Sequence, residues 1–254
     1  MRGSSSVRTV AIIPARYGSR RLPAKPLADI AGKPMIQHVY ERTAQASLVH
    51  KVIVATDDER IASAVRAFGG EAVMTPASME SGSDRIAHVA RSVSDADIIV
   101  NVQGDEPLIA PQMIDEGIRP LIEDDQILVG TLVRKIDTDA ELQNPSIPKV
   151  VLDSNGYCLY FSRSIVPFVR DRAKGEWLAH HSYFKHIGLY AFRREFLLRF
   201  AGFQQTPLEK AERLEQLRIL EHGYSIKAAI TTYDTLSVDT EEDLERVRMI
   251  MKHQ

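Results

Sequence analysis

Apolar and polar positions along the first hundred residues alternate between two rhythms. VRTVAII (7–13), KVIVAT (51–56) and DIIVNV (97–102) are runs in which apolar residues follow one another directly. Strands covered by helices on both faces read this way, because neither face meets water. Between them, Met35, Ile36, Val39 and Tyr40, and then Ile61, Ala64, Val65 and Phe68, recur at the spacing of a helix face. Pro34 suits the first helical position, where its missing N–H is an orphan in any case. Asp57 or Asp58 is placed to cap the second helix, and Gly69-Gly70 to end it. EAVM (71–74) reads as a short strand and residues 82–93 as a third helix. This βαβαβ order predicts a mostly parallel α/β sheet of the Rossmann-like kind, with right-handed crossovers and helices on both faces.

The second half is less regular. QILVGTLVRK (126–135) and PKVVLDSNGYCLYFSR (148–163) read as strands, the latter as a hairpin turning at Asn155-Gly156. Residues 167–182 read as a mobile loop, FKHIGLYAF (184–192) as a strand and 193–201 as a helix. A further helix is expected over 207–222, a strand at IKAAI (226–230), and a last helix at TEEDLERVRMIMK (240–252), opened by Thr240 and Asp243 as a capping box. One domain over 7–254 accommodates this, with 7–125 as one α/β half and about 126–225 as a β-rich insertion. MRGSSS (1–6) has the look of a vector-encoded or disordered leader and does not enter the fold argument.

Composition changes this picture mainly by exclusion. The 254 residues carry a formal net charge of -2, with 44% hydrophobic and 26% charged residues, as a folded globular chain does. A near-neutral balance speaks against nonspecific nucleic-acid binding. The lone cysteine, Cys158, excludes an intramolecular disulfide and sits in an apolar stretch as a buried thiol would. No apolar run reaches the ~18 residues of a membrane span, and no signal-like segment precedes the first strand. The expectation is a soluble, cytoplasmic protein that does not engage membranes.

The chemistry concentrates in three places. IIPARYGSRRLPAKPL (12–27) brings Arg16, Arg20, Arg21 and Lys25 together with no acid among them, on a segment stiffened by Pro14, Pro23 and Pro26. It leaves the carboxyl end of a buried strand, where open α/β sheets bind ligands. A phosphate-gripping loop and a solvated basic turn both fit that composition. NVQGDEP (101–107) places Asp105 after another buried strand, a natural seat for Mg²⁺ bridging phosphates. In LSVDTEEDL (236–244), Asp239 stands just before the last helix, where plain capping reads the same.

The motifs IIPARYGSRRLPAKPL, VATDD, SGSDR (81–85), VNVQGDEP, HIGLY (186–190), LEKAERLEQLR (208–218) and VDTEEDLERVR (238–248) occur in an order that resembles the CMP-Kdo synthetases, the 3-deoxy-manno-octulosonate cytidylyltransferases. The resemblance runs from Val7 to the end, and HIGLY, LEQLR and the FSR of 161–163 narrow it to that family. It implies a nucleotide-diphospho-sugar transferase fold with a sugar-binding and dimerisation subdomain, and a homodimer. It also implies Mg²⁺-dependent transfer of CMP from CTP to Kdo, for lipopolysaccharide biosynthesis.

Carried across by that resemblance, Arg16 and Lys25 bind the triphosphate, while Asp105 and Asp239 hold the metal. Pro14, Ala15, Gly18 and Ser19 join the nucleotide loop, and Ser81, Gly82, Ser83 and Arg85 form the cytosine segment. Gln103 lies near both substrates, and Arg163, His186, Tyr190, Glu212 and Gln216 line the sugar-acid site. On a helix, Glu209, Glu212 and Gln216 would share one face. Two positions depart from the family pattern: Ala24 replaces a glycine before the loop lysine, and Ser83 replaces a threonine. Activation of sialic acid, and a non-catalytic nucleotide-binding regulator, are the competing readings.

Overall fold

The computed structural model describes residues 7–18, 21–79 and 81–252. Strand β1 (Thr9–Ala15) leads through a small hairpin, β2 (Asp29–Ile30) and β3 (Lys33–Pro34), into helix α1 (Met35–Ala44). β4 (Lys51–Thr56), α2 (Glu59–Ala67), β5 (Ala72–Met74), α3 (Gly82–Ser92) and β6 (Ile98–Asn101) complete the βαβαβ unit. β1 pairs in parallel with β4 on one side and β6 on the other, and β4 with β5. The chain runs outward from β1 to β5 and then returns to the far side of β1. The loops after β1 and β6 therefore part in opposite directions, which opens a crevice at their carboxyl ends. Alternate residues of β1 enter two separate cores: Val10 and Ile12 join one, Ala11 and Ile13 the other. That is why the strand reads as continuously apolar.

Asp58, not Asp57, caps α2, its carboxylate accepting from the Arg60 amide at 2.9 Å. Pro34 has extended dihedrals and stands at the N-cap, one residue before the position expected of it. α4 (Pro111–Glu123), not among the expected elements, carries Met113, Ile114, Ile118 and Leu121 at helical spacing, packs on the sheet and has Pro120 inside it.

The second half adds β7 (Val129–Lys135), α5 (Asp139–Gln143), β8 (Lys149–Leu152), β9 (Cys158–Ser162), α6 (Trp177–His180), β10 (Phe184–Arg193), α7 (Arg194–Phe200), α8 (Pro207–Glu212), α9 (Gln216–Glu221), β11 (Lys227–Thr231) and α10 (Glu241–Lys252). Among the described residues all the main strands form one nine-stranded sheet, ordered β11-β7-β10-β6-β1-β4-β5, with the β8–β9 hairpin attached through β10. β10 runs antiparallel to both neighbours and splices the second half onto the parallel unit.

Three expectations change here. The β8–β9 turn is longer than Asn155-Gly156 alone: only Gly156 has a positive φ, and Asp153 accepts from the amides of Asn155 and Tyr157. Residues 167–182 are not a bare mobile loop, because α6 buries Trp177 against Ile136, Leu142 and Tyr183. The expected helix over 207–222 breaks at Arg213, whose φ of 52° is left-handed, so α8 and α9 are separate. Glu209, Glu212 and Gln216 consequently share no helix face. No helix among the described residues is long and apolar enough to cross a membrane.

Candidate active site

The basic loop is held at both ends. Pro14 and Ala15 still pair in register with Ala55 and Thr56 of β4. Tyr17 lies under the Arg60 guanidinium, 3.4 Å from its ring centroid, and its carbonyl accepts from the Ala24 amide at 3.3 Å. Ala24 is left-handed (φ 55°) and turns the chain into a short 3-10 turn, Lys25–Leu27, whose Pro26 is buried. With the backbone pinned this way, Lys25 projects into the crevice. Gly18 also lines it, and Ser19 and Arg20 lie outside the described residues.

The turn after β6 closes on the same point. A Cβ on Gly104 would stand 2.7 Å from the Pro14 carbonyl oxygen, so glycine lets two backbones touch. Asp105 is thereby pressed toward the loop. Its carbonyl accepts from the Val238 amide at 2.9 Å, which ties in the segment before α10. Val238, Leu244 and Val247 pack with Leu22, Ile30 and Met35, anchoring that segment beneath the basic loop. The Asp243 carboxylate accepts from the amides of Asp239 and Thr240 at 3.0 and 2.9 Å, and the Thr240 hydroxyl accepts from the Asp243 amide in return. This capping box fixes Asp239.

The outcome is that two carboxylates separated by more than a hundred residues meet on one ammonium. Lys25 Nζ donates to Asp105 Oδ2 at 2.7 Å and to Asp239 Oδ1 at 3.2 Å. Arg21, which had no assigned role, pairs with the same Asp239 oxygen at 3.0 Å. The neighbouring Glu106 is buried, and burial together with the charge of Asp105 pushes its carboxyl up to about 8.

The opposite wall is the start of α3. Ser81 caps it, its hydroxyl accepting from the Asp84 amide at 3.0 Å, and Gly82 lies against Pro14. The buried Arg85 reaches back to Asp57 at 2.9 Å and donates to the Thr75 hydroxyl. Ser83 turns away from the cleft and gives its hydroxyl to Glu215. The cleft between these walls has a volume of about 560 Å³. Of the residues expected at the nucleotide, Pro14, Ala15, Arg16, Gly18, Lys25, Ser81, Gly82, Arg85, Gln103, Asp105 and Asp239 line it. Met79 lines it too, unannounced by any sequence signal.

The residues expected at the sugar divide into two groups. Gln103 donates to the Gly188 carbonyl at 2.9 Å and so joins the cleft to β10. On β10, His186 Nε2 lies 3.0 Å from the Thr131 hydroxyl, which itself donates to the Leu189 carbonyl. The imidazole is therefore the donor, and burial holds its pKa down to about 3. The Tyr190 hydroxyl and Gln216 Nε2 are buried without a hydrogen-bond partner. Burial and the charge of Glu215 push the Tyr190 phenol well above its ordinary value.

Arg163 and Glu212 instead engage each other's segments. The Glu212 carboxylate accepts from the Ser162 hydroxyl (2.7 Å) and the Arg163 amide (3.0 Å), while the Arg163 guanidinium donates to the Glu212 carbonyl at 2.7 Å. Glu215, absent from the sequence expectations, takes the more central place beside Ser83 and Tyr190.

Asp105 and Asp239 offer hard oxygen donors to a cation, and their convergence on one positive group is the arrangement a divalent metal needs. Among the described residues no cluster of three or more His, Cys, Asp or Glu forms a self-sufficient metal cage. Two carboxylates are a donor set of the kind Mg²⁺ takes from a protein when phosphates and water complete its shell.

Cations facing paired carboxylates across a switch-point cleft serve nucleotide transfer, and the class this fold and site define is the nucleotidyltransferases. A family model described as cytidylyltransferase matches residues 10–228. The 3-deoxy-manno-octulosonate cytidylyltransferase of Geotalea uraniireducens (strain Rf4) is 58% identical over 246 residues, spanning 95% of this chain and 98% of its own. Its counterpart in Geobacter sulfurreducens (strain ATCC 51573 / DSM 12127 / PCA) is 54% identical, across 93% and 96%. A solved structure of CMP:2-keto-3-deoxy-manno-octonic acid synthetase complexed with CTP superposes with a TM-score of 0.91 at 45% identity, covering 97% of this chain and 99% of that one. The 4-diphosphocytidyl-2C-methyl-D-erythritol synthase of Anaerococcus prevotii DSM 20548, at 10% identity and a TM-score of 0.62 over 97% and 99%, shares the fold alone. The chain belongs to the cytidylyltransferase family, among the 3-deoxy-manno-octulosonate cytidylyltransferases.

Proposed function

We propose that this protein transfers CMP from CTP to 3-deoxy-manno-octulosonate (Kdo), releasing pyrophosphate, in a Mg²⁺-dependent reaction. The observation that carries the reading is the meeting of Lys25, Asp105 and Asp239 at the carboxyl ends of two adjacent strands. Family membership and the full-length likeness to a synthetase solved with CTP supply the substrates.

Arg16, Arg21 and Lys25 face the triphosphate and offset its charge, while Ser81, Gly82 and Arg85 take the base end of the cleft. The acceptor lies toward Gln103, His186, Tyr190 and Gln216. Its anomeric C2 hydroxyl oxygen attacks the α-phosphorus. The bond from that phosphorus to the bridging oxygen breaks, pyrophosphate leaves with the electron pair, and the hydroxyl proton passes to solvent. Asp105 and Asp239 would hold Mg²⁺, which when bound neutralises phosphate charge and acidifies the attacking hydroxyl. Preorganised cations next to the α-phosphate are worth ~10²–10³ in turnover each.

Pyrophosphate release is the test. CTP and Mg²⁺ are supplied with Kdo, with sialic acid or with a sugar phosphate, and with UTP in place of CTP. Release with Kdo above the other acceptors is expected. Preference for sialic acid would replace the acceptor, and no release with any acceptor would leave a nucleotide-binding regulator. A cytoplasmic homodimer is part of the same reading on family grounds, and a monomer mass by light scattering would remove it.

A further inference from the structure

We propose that Ser83 is a positioning residue for the acceptor side of the site: its hydroxyl fixes Glu215, and with it the start of α9, relative to the nucleotide end of the cleft. The proposal rests on the function above.

Ser83 follows directly on Ser81 and Gly82, which with Arg85 line the cleft at the start of α3. Ser81 closes the helix cap, and Gly82 stands against Pro14, where an added Cβ would meet the proline ring at an ordinary contact distance of 3.5 Å. The first turn of α3 thus forms part of the nucleotide wall. Ser83 itself is only 6% exposed, and its Oγ donates to Glu215 Oε2 at 2.5 Å, across 132 residues of sequence. A hydroxyl on a carboxylate makes a short, charge-assisted bond.

Glu215 has a second tether. Arg218 Nη2 lies 3.4 Å from its other oxygen, and Arg218 is itself forked onto the buried Glu209 at 2.8 and 2.5 Å. Glu215 thus stands between α3 on one side and the α8–α9 joint on the other. The next residue is Gln216, whose Nε2 is buried and unpaired, and the unpaired Tyr190 hydroxyl lies within the field of Glu215. The left-handed break at Arg213 ends α8 before α9 begins, and the Arg218–Glu209 pair ties the two helices together. Without the Ser83 bond, Glu215 keeps only the long Arg218 contact, and the acceptor-facing groups of α9 lose their register against the nucleotide.

Ser83→Ala and Ser83→Thr, assayed with CTP and Kdo, test this against the sequence expectation that Ser83 reads cytosine. Loss of a hydrogen bond to a charged group corresponds to roughly a tenfold effect. The expected result is that Ser83→Ala raises the KM for Kdo about tenfold. CTP affinity, measured by calorimetry without acceptor, stays within about twofold of wild type, and Ser83→Thr restores the KM. Weakened CTP binding with an unchanged KM for Kdo would overturn the proposal in favour of cytosine contact. Equal effects on both substrates that threonine does not rescue, or no effect on either, would also overturn it. A wild-type protein inactive with Kdo would instead remove the function it rests on.

Discussion

The Lys25 ammonium sits 2.7 Å from the Asp105 carboxylate while also holding Asp239. Two anions brought to one point repel unless a cation stands between them, and here the chain supplies its own. Lys25 is only 14% exposed, so water screens the contact little. A triphosphate offers that ammonium a more highly charged partner. Nucleotide arrival and release of the two carboxylates to a metal are therefore linked by charge balance.

Lys25→Met keeps the length of the side chain and removes its charge. Turnover should fall by ~10²–10³. Binding of Mn²⁺ in the absence of CTP should tighten, because the metal no longer displaces an ammonium. Calorimetric titration with Mn²⁺ alone reads the second effect, and a weaker affinity would contradict the exchange.

Asp105→Asn retains the shape of the turn and halves the anionic pair. Activity should be lost at every Mg²⁺ concentration, while circular dichroism stays native. A Mg²⁺ titration curve superimposable on that of wild type would remove Asp105 from the metal site.

Gly104→Ala places a methyl group 2.7 Å from the Pro14 carbonyl, and neither backbone can yield without moving Asp105. The overpacking should cost about 1–3 kcal/mol of stability. A displacement near 1 Å of a catalytic group costs about 10²-fold in rate. Urea denaturation and initial-rate kinetics measure the two separately.

Ala24→Gly should act in the opposite direction. A left-handed alanine is strained by about 1–2 kcal/mol, and the added freedom of glycine in the unfolded chain returns about 0.4–1 kcal/mol of that. Since Ala24 has φ 55°, a net gain of about 0.5–1 kcal/mol is expected in denaturant midpoints, with turnover unchanged.

His186 makes acid stability testable. Its pKa is near 3 in the fold against 6.5 for the free side chain, so the unfolded chain binds the extra proton between those values. Stability from this group is complete above pH 6.5 and is lost progressively toward pH 3. At pH 5 the loss amounts to about 2 kcal/mol. His186→Gln should narrow the gap in melting temperature between pH 7 and pH 5, and an unchanged gap would show another group to be responsible.

What the sequence determined by itself was local in its physics. Continuous apolar runs marked β1, β4 and β6 because both strand faces are buried, and Thr240 with Asp243 marked the start of α10 because a cap is made within four residues. The loop of Arg16 and Lys25 and the motifs around it fixed the chemical class, since phosphate binding needs those cations at a strand end. Tertiary structure decided whatever depends on contact between distant segments. The 207–222 segment breaks at Arg213, beside a Glu212 held by Ser162 and Arg163 from about fifty residues away, and no helical periodicity encodes that grip. The hydrogen bond from Ser83 to Glu215, across 132 residues, is equally beyond the reach of a local pattern. Asp105 was legible as a carboxylate after a strand and Asp239 as one before the last helix, but only the fold could place Lys25 between them.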